Sequence, residues 1–80
     1  MTLEQLNEAA ECLKTIAHPH RLQILQLISS GPHTVGELAT ACQIASPVAS
    51  NHLRLMERTG LLSSRRDGKN IYYQISDNYI

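Results

Sequence analysis

Polar and cationic side chains are concentrated on one predicted helix and on the hairpin that follows it. Small polar groups, a proline and an arginine share the outward face of that helix: Ser46, Pro47, Ser50, Asn51 and Arg54. Hydroxyl and amide groups can bond base edges, and arginine can reach guanine or phosphate. Three more cations, Arg65, Arg66 and Lys69, cluster around Asp67-Gly68, a strong signal for a two-residue hairpin turn. Because a helix fits the major groove and a basic hairpin can hold phosphates, double-stranded DNA is the expected partner.

The opposite face of the same helix is apolar, apart from one histidine. Angular positions at about 100° per residue turn six side chains inward: Val48, Ala49, His52, Leu53, Leu55 and Met56. In that position His52 is predicted to be a packed core histidine rather than a ligand or a catalyst. A solvated helix also has a polar outer face, but without a ligand it more often carries Glu–Lys pairs at this spacing. The composition of the outer face therefore favours a recognition surface.

Three helices precede this one and must hold it in place. Thr2 and Gln5 form a capping box, which predicts a first helix running to about Ala17. Pro19 suits the first turn of a second helix, which Gly31-Pro32 ends. This second helix is predicted to be largely buried through its aliphatic residues Leu22, Ile24, Leu25, Leu27 and Ile28.

A short third helix and a hairpin complete the predicted fold. Thr34 and Glu37 form a second capping box. The apolar residues of the helix that follows lie on one face: Val35, Leu38, Ala39 and Cys42. The fourth helix is predicted over residues 46–59. Residues 61–66 and 69–75 are then predicted to be antiparallel strands, with alternate side chains directed toward the core: Ile71, Tyr73 and Ile75.

Two apolar stripes run along the first helix, while polar residues including Thr15 occupy the remaining arc. The first stripe comprises Leu3, Leu6, Ala10, Leu13 and Ala17. The second comprises Ala9, Cys12 and Ile16. So wide an apolar surface indicates either a deeply packed helix or one stripe on the core and the other on a partner subunit. In the second case we expect a homodimer whose interface comprises Ala9, Cys12, Leu13 and Ile16.

Length and composition restrict the class of protein. Eighty residues predict a single domain, residues 1–80, whose small core benefits from association with a partner. No apolar run is long enough to cross a bilayer, and the start of the chain is acidic rather than a basic signal region. We therefore expect a cytoplasmic protein with no membrane partner. Paired carboxylates, a nucleophile–base motif and a phosphate-cradling glycine loop are absent from the sequence, so neither an enzyme nor a cofactor is expected.

The formal net charge is zero, but the charges are unevenly distributed. Residues 1–45 carry two lysine or arginine side chains against four carboxylates. Residues 46–80 carry five against three. The basic half can bind phosphate locally, although its non-specific affinity for DNA should be modest and dependent on salt.

Several motifs together resemble the winged-helix DNA-binding domain of the ArsR-type family of bacterial transcriptional repressors. They are LKTIAHPHRLQIL at 13–25, VGELA at 35–39, SNHL at 50–53, GLL at 60–62 and RDGKNIYYQI at 66–75. The resemblance implies a mainly α, α+β fold: a winged helix-turn-helix of four helices plus a two-stranded wing. It also implies a homodimeric repressor on a partly palindromic operator, with the fourth helix as recognition helix and residues 65–70 as the wing tip.

The sequence departs from the family pattern at three places. A family serine often caps the recognition helix where Ala45 stands, so Ser46 is expected to take that role. The thiolate cluster of arsenic- and cadmium-type sensors is reduced to Cys42. Zinc-type sensors carry metal ligands on a last helix. At the corresponding positions this sequence has Asp77, but Tyr79 stands where a histidine would be. Residues 76–80 can form only the start of such a helix. No metal site is therefore expected, and the inducer is unknown.

Two other functions remain open at this point. The chain could be a winged-helix module that binds protein, as its zero net charge and short last segment suggest. It could instead be a thiol redox-responsive regulator that uses Cys12 and Cys42, although the two cysteines lack a CxxC spacing and are otherwise expected to be reduced.

Overall fold

Four helices and three short strands make up the computed structural model, which describes residues 1–77. In chain order they are α1 (Leu3–Ile16), α2 (Pro19–Ile28), β1 (His33–Thr34), α3 (Val35–Cys42), α4 (Ser46–Arg58), β2 (Leu62–Asp67) and β3 (Asn70–Ile75). The four predicted helices are confirmed, with ends within a residue or a few of those expected. The predicted helical start at residues 76–80 lies mostly outside the described residues.

Side chains at the helix ends explain where the helices begin. The Thr2 hydroxyl accepts from the Gln5 N–H at 3.1 Å while the Gln5 side chain accepts from the Thr2 N–H, which confirms the first capping box. Thr34 and Glu37 make the same reciprocal pair at α3. These bonds satisfy backbone donors that the first turn of a helix leaves without an intrahelical partner.

The start of α4 differs from expectation. Its N-cap residue is Ala45, and no side chain caps the helix there, so the prediction that Ser46 takes this role is wrong. Ser46 is already the first helical residue, and a capping side chain belongs to the non-helical residue before it, which here is Ala45. The following Pro47 needs no partner for a backbone N–H, because it has none.

Replacing Ala45 with serine should stabilise the protein. A serine at the N-cap accepts from a first-turn N–H and contributes about 0.5–2 kcal/mol relative to alanine. We expect the lower end of that range, because Pro47 lacks an N–H and the Val48 N–H already bonds the Ala45 carbonyl at 3.0 Å. Urea denaturation of A45S and wild type measures the difference, with Thr34→Ala as a control of opposite sign. A free energy of unfolding that does not rise would contradict this expectation.

The strands form an antiparallel sheet in the order β1-β3-β2. The sequence-based prediction of a two-stranded wing missed β1, where His33 pairs with Tyr73 and Thr34 with Tyr72. Two residues are too short to give a detectable alternating pattern.

The hairpin turn is one residue further along the chain than predicted. Asp67 pairs with Asn70, so the two-residue loop is Gly68-Lys69 rather than Asp67-Gly68. Gly68 has a φ of +64°, and Lys69 is not among the described non-glycine residues with positive φ. Glycine at the first loop position followed by a residue of negative φ is typical of a type II′ turn. This register places Lys69 at the very tip of the hairpin.

The core lies between α2, α3, α4 and the sheet. It is formed by eight buried side chains: Ile24, Ile28, Leu38, Cys42, Leu53, Met56, Leu62 and Tyr73. Three residues predicted to face inward are instead exposed: Leu22, Val48 and Ile71. Val48 lies on the first turn of α4 and Ile71 near the hairpin tip, both beyond the edge of the core, while Leu22 lies on the side of α2 away from Ile24 and Ile28.

The first helix is mostly outside this core, so the prediction of a deeply packed helix is wrong. Its one buried residue is Thr15, which was expected on the polar arc and whose hydroxyl donates to the Glu11 carbonyl at 2.8 Å. Cys12 and Ile16, beside it, are half-buried. The stripe expected on the core is exposed, with Leu3, Leu6 and Leu13 at 74%, 50% and 64% of full exposure.

Among residues 1–77, no helix is both long enough and apolar enough to cross a bilayer.

Candidate nucleic-acid interface

The outward face of α4 carries most of the residues predicted from the sequence. Ser46, Pro47, Asn51 and Arg54 are exposed, whereas Ser50 is half-buried. An Arg54 Nη2 donates to the Asn51 Oδ1, one turn apart on the same face. The bond uses one guanidinium N–H and the Asn51 oxygen, so the Asn51 amide donors and the other guanidinium donors can still bond a partner. Asparagine and arginine are the side chains that can read adenine and guanine through paired hydrogen bonds.

Val48 adds an apolar group to this exposed surface. Its side chain is 43% exposed on the first turn of α4, close in sequence to Pro47 and Asn51. The sequence-based assignment to the inward face missed it, because the angular count takes no account of where along the helix the core ends. An exposed aliphatic group at this place can contact a thymine methyl in a major groove.

The hairpin formed by β2 and β3 carries the three predicted wing cations, all of them exposed. Adjacent residues of a strand point to opposite faces, so Arg65 and Arg66 lie on the two sides of the ribbon rather than on one surface. The Arg65 guanidinium lies 5.9 Å from the centre of the Tyr72 ring, its partner across the ribbon. In the part of the chain that the structure describes, none of the wing cations forms a salt bridge.

A hydrogen bond joins the wing to α4. The Ser64 hydroxyl on β2 donates to Glu57 Oε2 at 2.6 Å. Beneath it, burial raises the pKa of the Tyr73 phenol and the Glu57 carboxylate adds to this rise, so Tyr73 stays neutral. Sequence reasoning missed this connection, because no local pattern relates Ser64 on the strand to Glu57 on the preceding helix. This hydrogen bond therefore connects the outward side of α4 to the cationic ribbon.

The inner side of α4 meets the corner between α1 and α2 at a group of three imidazole rings. The ring centroids of His18 and His52 are 4.7 Å apart, those of His18 and His20 5.5 Å and those of His20 and His52 5.9 Å. His52 is half-buried in this group at the edge of the fold, so the prediction that it is a core residue is wrong. His18 precedes α2 and caps it by accepting from the His20 N–H at 3.2 Å, which brings the two rings together.

Arg21 on α2 connects this group to α1. Its Nε donates to His52 Nδ1 at 3.2 Å, and an Nη1 donates to the Thr15 carbonyl at 3.1 Å. Burial lowers the pKa of His52, and electrostatic interaction with His18, Arg21 and His20 lowers it further. Arg21 belongs to the motif at 13–25, but the sequence offered no indication of its role, because the bond to His52 spans 31 residues.

Neither metal nor thiol chemistry is favoured by the arrangement of the described side chains. No group of three or more histidine, cysteine, aspartate or glutamate side chains within residues 1–77 is placed to hold a metal ion. No disulfide joins Cys12 and Cys42. Burial raises the pKa of the Cys42 thiol, which opposes formation of the thiolate that redox chemistry requires.

Fold and surface together define a winged helix-turn-helix domain, and comparison with known proteins agrees. Residues 16–65 match the profile of a helix-turn-helix domain family. The chain is 38% identical to the HTH-type transcriptional regulator YgaV of Escherichia coli, over 91% of this chain and 75% of the relative. It is 31% identical to the transcriptional repressor SmtB homolog of Synechocystis, over 100% of this chain and 61% of the relative.

A solved structure shows the same fold. The homodimeric winged helix-turn-helix DNA-binding domain of a possible ArsR-family regulator from Mycobacterium bovis superposes with a TM-score of 0.89 at 34% identity, covering 95% of this chain and 70% of that one. The chain therefore belongs to the ArsR-type family of winged helix-turn-helix transcriptional regulators. It spans less than two thirds of the length of the first curated relatives that it matches, between 61% and 65%.

Proposed function

We propose that this protein is a homodimeric transcriptional repressor that binds a partly palindromic operator in double-stranded DNA. One observation carries the proposal: the outward face of α4, with its Asn51–Arg54 pair, is fixed beside a ribbon whose cations have no ion-pair partners within residues 1–77. Family membership supports the same function. The protein acts by binding rather than by catalysis, in the cytoplasm where its operator lies.

Each part of the surface has its own task in this proposal. Side chains at the start of α4 enter the major groove and contact bases: Ser46, Pro47, Ser50, Asn51 and Arg54. Val48 contributes an apolar contact beside them. Arg65, Arg66 and Lys69 contact phosphates or the minor groove and contribute affinity rather than base reading. Because Arg65 and Arg66 lie on opposite sides of the ribbon, the wing can contact the two backbones that border one groove.

The dimer in this proposal uses the exposed surface of α1. Leu3, Leu6 and Leu13 form an apolar stripe, a surface that soluble monomers seldom expose along a whole helix. Of the four interface residues expected from the sequence, Ala9 and Leu13 are exposed and Cys12 and Ile16 are half-buried within the chain itself. We therefore centre the interface on Leu13 and its neighbours Leu6 and Ala9, with Cys12 and Ile16 at its inner border.

Selection of bound duplexes from a random DNA pool tests the function directly. We expect enrichment of a duplex with two related half-sites about 10 base pairs apart, or a multiple of that spacing, as a two-fold dimer requires. Repeating the selection with zinc, arsenite, oxidant and reductant identifies an inducer if one of them releases the DNA. Absence of any enriched sequence would reject the proposed function.

Removing a wing cation should change the salt dependence of binding more than its sequence preference. Lys69→Ala removes one phosphate contact, so the slope of log affinity against log salt should fall in magnitude by about one unit for every duplex. Fluorescence anisotropy on the enriched duplex and a scrambled one measures both quantities. Lys14→Ala is the matched control, because Lys14 lies on α1 beside Glu11, at 3.8 Å. A K69A protein that keeps its salt slope but no longer discriminates between the duplexes would refute this role.

A further inference from the structure

Arg21 is placed to connect three parts of the fold. It lies on α2, reaches the last turn of α1 through the Thr15 carbonyl and reaches the inner side of α4 through His52. Arg21 therefore bonds both to α1 and to the inner side of α4, the helix that we propose reads the DNA. The His52 ring lies on the inner side of α4, away from the Asn51–Arg54 pair, and we expect a change in its contacts to alter the position of the helix and hence of that pair.

The bond between Arg21 and His52 exists in only one protonation state of the histidine. An Nε–H of arginine always donates, so His52 Nδ1 must accept and the ring proton must be on Nε2. A second proton would have to bind at Nδ1, directly against the guanidinium donor. Protonation of His52 therefore removes the hydrogen bond and places two positive charges in contact.

We propose that Arg21 is a positioning residue for the recognition helix, and that its bond to His52 makes DNA binding weaken as the pH falls from about 7 to about 5. This inference rests on the proposed function, since it concerns the regulation of the same DNA-binding surface. Within residues 1–77, the charged and titratable groups that act on His52 are His18, Arg21 and His20, from the α1–α2 corner and α2, and none of these is an anion.

The direction of the pH effect follows from the surroundings of the His52 ring. Burial and electrostatic interaction with His18, Arg21 and His20 lower the pKa of His52, so the folded protein holds this histidine neutral at pH 7. The unfolded chain binds the proton more readily than the folded one. Stability contributed by the neutral ring is therefore present above the ordinary histidine pKa of about 6.5 and is lost as the pH falls below it.

Nuclear magnetic resonance of the histidine rings tests the positioning pair without DNA. In the wild type, ¹⁵N shifts should show His52 as the Nε2–H tautomer at pH 7.5. In Arg21→Gln the tautomer preference should be lost and the pKa of His52 should rise. Arg21→Lys, which keeps the charge but lacks the planar donors, should also lose the tautomer preference while keeping the pKa low. A wild-type His52 that carries its proton on Nδ1 would overturn the proposal.

A pair of His52 substitutions tests the effect on DNA binding, using the enriched duplex from the selection. The Asn side-chain oxygen is as many bonds from the backbone as Nδ1, so His52→Asn keeps an acceptor for Arg21 but cannot be protonated. The Gln oxygen is one bond further, at the place of Nε2, so His52→Gln loses that acceptor. His33→Gln is the matched control, because the His33 ring lies outside the group and bonds the Gly31 carbonyl at 2.7 Å.

We expect wild-type affinity for this duplex to fall between pH 7.5 and pH 5.5 by less than about tenfold, because an unshifted histidine pKa of about 6.5 would give about tenfold over this range and the pKa of His52 is lower. H33Q should show the same fall. H52N should bind as wild type does at pH 7.5 and lose the acid sensitivity, while H52Q should bind weakly at both pH values. Acid sensitivity that persists in H52N would overturn the inference, as would a wild type that binds equally at both pH values.

The two proposals fail in distinguishable ways. If the selection yields no duplex, the proposed function fails, while the tautomer and the pKa of His52 still report on the Arg21–His52 pair. If a duplex is enriched but its binding is independent of His52 protonation, the inference fails and the proposed function stands.

Discussion

Replacing Leu13 with glutamate is expected to convert the protein to a monomer and to abolish operator binding. Leu13 is exposed on the apolar stripe of α1, next to Leu6. Burying a leucine contributes about 1.5–3 kcal/mol, and a two-fold interface buries two copies of Leu13, one from each subunit. A glutamate there would lose this contribution and face a second glutamate across the axis. Without the linkage between two half-sites, affinity for the operator should fall roughly 10²–10⁴-fold.

Sedimentation velocity and fluorescence anisotropy on the same samples check this expectation. Asn7→Glu is a suitable control, because it adds the same charge to the polar arc of α1. Ile16→Glu is less informative, since Ile16 is half-buried and a charge there also disturbs the fold. An L13E protein that remains dimeric would place the interface elsewhere. A wild type that is monomeric at tens of micromolar would refute the dimer itself.

Loss of either member of the Asn51–Arg54 pair should weaken specific binding by about 1–3 kcal/mol, roughly 5- to 150-fold. Each side chain offers base-reading groups, and the bond between them orients both. Because removal of one partner also releases the other, the double substitution should cost less than the sum of the single ones. The loss should be largest for the enriched duplex and small for a scrambled one.

Anisotropy titrations of N51A, R54A and the double variant measure this coupling, with circular dichroism confirming that each is folded. Arg58→Ala is the control on the same helix, because Arg58 is exposed but lies at its far end from the proposed base contacts. Operator affinity unchanged in both single variants would show that α4 does not read the DNA through these residues.

Local chemistry made most of the fold predictable from the sequence. The capping boxes at Thr2 and Thr34 form hydrogen bonds to backbone N–H groups only a few residues away, so they can be recognised from the spacing of residues in the sequence. The polar face of α4 was predictable for the same reason, since helical periodicity relates residues within two turns. The exposed positions of Pro47, Asn51 and Arg54 agree with that prediction.

Features that depend on distant contacts were not predictable. Strand β1 exists only because Thr34 and His33 meet β3, nearly forty residues later, and the turn register depends on the pairing of Asp67 with Asn70. On α1, periodicity identified two stripes but not which one packs on the chain itself, because that depends on how α1 crosses α2. The position of His52 was unpredictable for the same reason, because the residues that contact it lie at the start of α2, far away in sequence.

Thr34 belongs to two structural units at once. Its backbone pairs with Tyr72 in the sheet from which the wing extends, and its hydroxyl caps α3, the first helix of the helix-turn-helix. A displacement of the ribbon that pulled on this residue would also strain the cap, so bending the wing away from the helices has an elastic cost. In the proposed complex we therefore expect the wing to keep its position relative to the helices, and the DNA to adjust its groove width to fit between the wing and α4.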